Sequence, residues 1–192
     1  MRDVERAGAA PAPGGPLLFL DVDGPLIPFG ATPQQLPGGY PTFPSGSSGA
    51  PDPAANPLLT RLDPALGPLL AALPCELVWA TTWMDEANDS VAPRLGLPHL
   101  PVLDDLPVPD DPEQEPTAVG LGRRAPHWKV PAMVAWAAGR AFVWVDDEVS
   151  GTDRAWVAAH HPGRALLHPV DARLGLTARD FTVLDDWLRA AQ

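Results

Sequence analysis

The chain has 192 residues, 45% of them hydrophobic, with 26 prolines, one cysteine and a formal net charge of −11. That length suffices for one domain with a sizeable core, the single cysteine excludes an internal disulfide, and so acidic a chain gains nothing from nonspecific attraction to nucleic-acid phosphates. No apolar run is long enough to span a bilayer, and the first residues lack the basic start and apolar stretch of a secretory signal, so the expected compartment is the cytoplasm.

Residues 1–15 read as a flexible lead-in to a single domain over 16–192. Leu17 to Val22 is an apolar run that predicts a buried strand, and it delivers Asp21 and Asp23, followed by Gly24. Residues 28–57 are rich in Gly, Pro and Ser and lack periodicity, so they predict a long surface loop beside the functional site. Asp63 followed by Pro64 is a helix-start signal, and Ala65, Leu66, Leu69, Leu70 and Leu73 follow at helical spacing until Pro74. Glu76 to Ala80 predicts a second strand ending at Thr81 and Thr82. Trp83 to about Leu95 predicts a helix made imperfect by Pro93. A short strand is expected over Leu100 to Leu103, then an acidic, proline-rich loop over 104–116. Lys129 introduces a short helix over Val130 to Ala138, and Ala141 to Val145 predicts a strand ending at Asp146, Asp147 and Glu148. Asp153 to His160 reads as a helix and Arg164 to Leu167 as a strand. Thr177 caps a last amphipathic helix with Phe181, Leu184, Trp187 and Leu188 on one side. Strands alternating with helices predict an α/β fold, with a parallel sheet covered on both faces.

The polar residues at the strand ends carry the chemistry. Open α/β sheets bind ligands outside the carboxyl ends of their strands, where Asp21 and Asp23 fall. Two acids so close repel each other, and Mg²⁺ is the usual cation to relieve that repulsion. Thr81/Thr82 and Asp146/Asp147 also follow strands, and Lys129 starts a helix, so all these residues can reach one sheet edge. Hydrolysis of a phosphomonoester needs a nucleophile, a proton donor, donors for the phosphate oxygens and a metal.

In order and type these clusters resemble the four motifs of the haloacid dehalogenase (HAD) superfamily of aspartate-nucleophile phosphatases. The local sequences Trp79-Ala-Thr-Thr-Trp-Met-Asp-Glu-Ala-Asn88, His127-Trp-Lys129 and Val143-Trp-Val-Asp-Asp-Glu148 are similar to HAD-like domains associated with bacterial RNA-repair proteins. The resemblance covers roughly 16–190 and implies a three-layer Rossmann-like core with a minimal cap or none. It implies Asp21 as nucleophile, and Asp23 as acid, then base, with its backbone carbonyl on Mg²⁺. It implies Thr81 as phosphate donor, with Thr82 as the competing choice, and Lys129 as charge balance. Asp146 would bind Mg²⁺ directly and Asp147 through water or by positioning. Pro25 departs from the Thr common after the motif glycine, removing a hydroxyl and an N–H. A response-regulator receiver uses similar residues in a different order.

Other residues have two readings each. Trp79, Trp83, Trp128, Trp136, Trp144, Trp156 and Trp187 read mostly as packing residues, with Trp83 and Trp128 placed to stack on a base or ring. Arg123-Arg124 is a solvated turn or a second phosphate site. His160 and His161 read as a helix end, Glu148 as a helix-start charge and Cys75 as a small buried residue. The expected activity is a Mg²⁺-dependent phosphatase acting on a nucleotide or RNA end. A small-metabolite phosphatase and a non-catalytic interaction module are the alternatives. Neither a membrane nor nonspecific nucleic-acid binding is expected.

Overall fold

Leu17–Leu20 (β1), Glu76–Trp79 (β2), Phe142–Asp146 (β3) and Ala165–Pro169 (β4) are short strands. The first three are apolar runs almost without polar alternation, as strands covered on both faces require. A computed structural model of the chain describes residues 14–43, 56–103 and 125–192. The expectations for 1–13, for the middle of the 28–57 loop, for the 104–116 loop and for Arg123-Arg124 lie outside these residues. The strands pair in parallel in the order β2-β1-β3-β4. The helices are α1 (Leu66–Ala71), α2 (Ala92–Leu95), α3 (Lys129–Ala137), α4 (Gly151–His160) and α5 (Ala178–Ala190). No described helix is long and apolar enough to cross a membrane.

Strand alternation divides the core into two layers. Leu18, Leu20, Leu77, Trp79, Val143 and Val145 pack with Leu70 of α1, Leu95 of α2 and Phe181, Leu184 and Leu188 of α5. Leu17, Phe19, Val78, Phe142 and Trp144 pack on the other face with Val130 and Met133 of α3 and Val157 of α4. This is the expected three-layer α/β arrangement, and Cys75 is buried as expected, its thiol pushed up to about 12 by burial. Full burial of each large apolar side chain contributes about 1.5–3 kcal/mol, so the two layers dominate stability.

Several boundaries differ from the sequence reading. The expected strand over Leu100–Leu103 reduces to a single bridge between Val102 and Trp79. Pro101 has no N–H to extend a ladder, and only its carbonyl is used, accepting from Trp79 N at 2.8 Å. The helix expected from Trp83 begins later, because Met84 takes a positive φ of 49°. Its first turn, Ala87–Val91, is a π turn, and α2 then begins with Pro93 in its first turn, where a missing N–H costs little. The π turn seats Asn88, whose Oδ1 accepts from Trp79 Nε1 and Leu100 N. Helix α4 starts before Asp153: Ser150 caps it, and Ser150 with Asp153 forms a capping box. Glu148 therefore precedes the cap and is not a helix-start charge. Thr177 caps α5, and α4 ends at His160, as expected.

Candidate active site

Register places the acids before any side-chain contact is considered. Leu20 pairs with Val145 and with Trp79, so Asp21 lies level with Asp146 and just short of Thr81. By alternation Asp21 follows Leu17 and Phe19, and Asp146 follows Phe142 and Trp144, onto the α3 face. Lys129, the first residue of α3, meets them there. Its Nζ lies 2.9 Å from Asp21 Oδ2 and 2.7 Å from Asp146 Oδ2. Lys129 is 2% exposed and Asp146 0%, so this is a buried ion-pair network.

Each carboxylate is further oriented. Asp21 Oδ1 accepts from Val22 N at 2.8 Å. Asp146 Oδ2 accepts from Trp144 Nε1 at 3.1 Å, and its Oδ1 from Glu148 N at 2.9 Å. Burial drives the Asp21 carboxyl up to about 7; Lys129 and a hydrogen bond from Thr81 pull it down, while Asp146 adds to the rise. Burial works to lower the Lys129 ammonium, but the charges of Asp21 and Asp146 outweigh it and the net shift is upward. Asp147 is raised by burial and by the charge of Asp146.

Asp21, Asp146 and Asp147 each offer an oxygen within 4.8 Å of the others. Three carboxylates against the one ammonium of Lys129 leave an excess of two negative charges. A hard, all-oxygen donor set with that excess fits a divalent cation such as Mg²⁺. Gly24 is required beside it for two reasons. Its φ is +81°, and a Cβ there would lie 2.7 Å from the Asp147 carboxylate. The loop it starts is fixed by Val22 O, which accepts from both Leu26 N and Ile27 N. Pro25 costs the loop an N–H, but its carbonyl accepts from Leu176 N at 2.9 Å.

Thr81 and Thr82 are distinguished by burial. Thr81 is fully buried with its hydroxyl toward Asp21, whereas Thr82 is exposed. The Thr81 hydroxyl also accepts from Trp83 N at 3.4 Å, at the long end of hydrogen bonding. Asp23 is half-buried and stands apart from the lysine network; its Oδ2 accepts from Trp83 Nε1 at 2.9 Å.

Sequence reasoning missed three supporting residues. His127 Nδ1 accepts from Lys129 N at 3.3 Å, and its Nε2 bonds Glu148 Oε2 at 3.0 Å. An acceptor role at Nδ1 leaves the hydrogen on Nε2, facing Glu148. Asp153 Oδ1 accepts from His127 N at 2.6 Å. His127 and Glu148 lie within the family-like stretches and Asp153 lies at capping spacing from Ser150, yet none of these signals assigned a role at the site. Of the tryptophans, Trp79 and Trp144 are core, Trp156 stacks on His160, Arg164 lies over Trp187, and Trp128 lies 5.6 Å from Lys129 Nζ.

A family model described as the HAD domain in Swiss Army Knife RNA repair proteins matches residues 17–181, the span from β1 into α5. No curated protein and no solved structure matches the chain.

Proposed function

We propose that this chain, which belongs to the family of HAD domains in Swiss Army Knife RNA repair proteins and so to the phosphatase-type hydrolases, is a Mg²⁺-dependent phosphomonoesterase with Asp21 as nucleophile. The observation that carries the reading is the placement of Lys129 between Asp21 and Asp146, with Asp147 adding charge that one lysine cannot balance.

Asp21 attacks phosphorus as the bond to the leaving oxygen breaks, and Asp23 gives that oxygen its proton. Asp23, now a carboxylate, takes a proton from water as the water oxygen attacks phosphorus and the bond to Asp21 breaks. Lys129 favours the ionised form of Asp21 against its burial, and the Thr81 hydroxyl offers a donor to a phosphate oxygen. Asp21, Asp146 and Asp147 would hold Mg²⁺, with the Asp23 carbonyl, and the ion supplies charge neutralisation at the phosphoryl oxygens. The substrate class is a terminal phosphate on a nucleotide or RNA end. That choice draws on the family description and on the absence of a globular cap among the described residues. The negative charge of the chain disfavours a long RNA footprint without a partner.

The test is phosphate release from a short oligonucleotide carrying a 3′- or 5′-phosphate and from sugar phosphates, with and without Mg²⁺, for wild type and Asp21→Asn. Metal-dependent turnover of the oligonucleotide, absent in the variant, is the expected result. Preference for sugar phosphates would transfer the reading to a metabolite phosphatase. Equal background release by both proteins would leave a non-catalytic module.

A further inference from the structure

We propose that Trp83 is a positioning residue for Asp23, and that its indole N–H decides how well the site handles poor leaving groups. The inference rests on the phosphatase reading above. The two residues are 60 positions apart in the chain, yet Trp83 Nε1 donates to Asp23 Oδ2 at 2.9 Å. An indole carries one donor and no acceptor. Oδ2 is therefore held as an acceptor, which leaves Oδ1 to carry the proton that Asp23 transfers.

Both partners are fixed by their surroundings. Asp23 bridges Ile27, and Gly24 N donates to Ile27 O at 3.1 Å, so the backbone that carries the acid is closed into a turn. The Trp83 ring is partly buried against the core layer containing Trp79 and Val91. Met84 follows it at φ +49°, a sparsely populated conformation for a non-glycine residue that persists where the surroundings over-determine it. The terminal torsion of an aspartate is broad, so without the indole the Asp23 carboxylate swings freely.

The proton has a defined path. Asp23 Oδ1 donates it to the leaving oxygen while the Asp21–phosphorus bond forms and the bond from phosphorus to that oxygen breaks. The same oxygen later takes a proton from the attacking water as the Asp21–phosphorus bond breaks. An alkyl leaving group needs the proton; a nitrophenolate leaves almost without it. Misorienting Asp23 must therefore harm alkyl esters selectively, which a purely structural role for Trp83 would not do.

The experiment compares kcat/KM, with Mg²⁺, on an alkyl phosphate and on 4-nitrophenyl phosphate for wild type, Trp83→Phe and Trp83→His. The ratio of the two substrates does not depend on how much of a variant is folded. Trp83→Phe is expected to lower the alkyl-to-aryl ratio by about tenfold to a hundredfold, a part of the roughly hundredfold to ten-thousandfold that general acid catalysis supplies. Trp83→His, which returns a ring N–H, is expected to recover part of the ratio. In an Asp23→Asn background, where the phosphorylated Asp21 is not hydrolysed, Trp83→Phe is expected to leave the rate of the single-turnover nitrophenolate burst unchanged. An unchanged ratio, or a slower burst with Trp83→Phe in the Asp23→Asn background, overturns the role of Trp83 while the phosphatase reading stands. A wild type that turns over neither substrate overturns both.

Discussion

Asp146 and Asp153 are equally buried, at 0% and 1% exposure, yet they are held in opposite ways. Asp153 meets neutral donors only: Ser150 N at 2.8 Å, Ser150 Oγ at 2.6 Å and His127 N at 2.6 Å. Asp146 meets a cation at 2.7 Å but shares it with Asp21, and Asp147 crowds the same space. Burial of an acid is thus no mark of function by itself. A carboxylate saturated by neutral donors is a structural pin, whereas a cluster with more negative charge than its protein partners can balance gains from a cation.

The largest separation of the two regions comes from Asp21→Asn. It should lower Mg²⁺-dependent turnover by about a thousandfold or more, as loss of a nucleophile does. Thermal denaturation without metal should show no loss of stability, since one uncompensated charge has gone.

Lys129→Met should destabilise the metal-free protein by about 3–5 kcal/mol, because it strands two buried carboxylates. Urea unfolding would measure the loss, and Mg²⁺ should recover part of it. A variant as stable as wild type would show that the acids are not mutually repelling.

Next in size, Mg²⁺ should stabilise wild type by about 2.7 kcal/mol at a hundred times its dissociation constant, and Asp146→Asn should remove the shift. The pH dependence has a definite sign. The Asp21 carboxyl rises from its ordinary 3.8 to about 7 in the folded state. Between those values the unfolded chain has lost a proton that the folded one keeps, so metal-free stability falls as pH rises through that window. Thermal melts across pH 4–8 should show the fall in wild type and a smaller one in Asp21→Asn, where the raised Asp147 carboxyl still contributes.

Asp153→Ala tests the other side of the comparison. It removes a cap and the acceptor for His127 N, so it should cost about 2 kcal/mol while the Mg²⁺ shift survives intact. If the metal response vanishes instead, the pin and the site are one unit.

The smallest effect is expected at α5. Asp180 accepts from Thr177 N and Thr177 Oγ1 and pairs with His168 at 2.8 Å. Burial works against its charge, but the Thr177 and His168 bonds outweigh it and hold the carboxyl below its ordinary range. Asp180→Ala should cost about 1 kcal/mol in urea unfolding at neutral pH. That contribution is fully present above the unfolded value near 3.9 and is lost as pH falls through the folded value.

Much of this was legible along the chain. The runs at 17–22, 76–80 and 141–145 read as buried strands, and each leads into polar residues that a parallel sheet carries to one rim. Thr177 marked a helix start through local capping chemistry, whereas α1 begins at Leu66, after Ala65 and without a side-chain cap, later than Asp63-Pro64 predicted. The start read at Asp153 lies three residues after the true cap, Ser150, whose capping box with Asp153 is a local signal as well. The strand expected at Leu100–Leu103 failed because its one donor-less residue, Pro101, falls where a ladder would extend. The helix expected from Trp83 began later because a positive φ at Met84 overrides apolar spacing.

What the sequence determined by itself is therefore the four sheet strands, most of the helices, and Asp21, Asp23, the Thr81/Thr82 pair, Lys129, Asp146 and Asp147 as candidate rim groups. These follow from periodicity, capping and order, which are local properties. Only the tertiary structure decided that β1 lies between β2 and β3, which sets Asp21 level with Asp146 and brings Lys129 to both. It alone chose Thr81 over Thr82 for the buried position, pressed Gly24 against Asp147, tied His127 to Glu148 and gave Asp23 the indole of Trp83. Each of these joins groups far apart in the chain, and their contact depends on strand order and register, which no local spacing encodes.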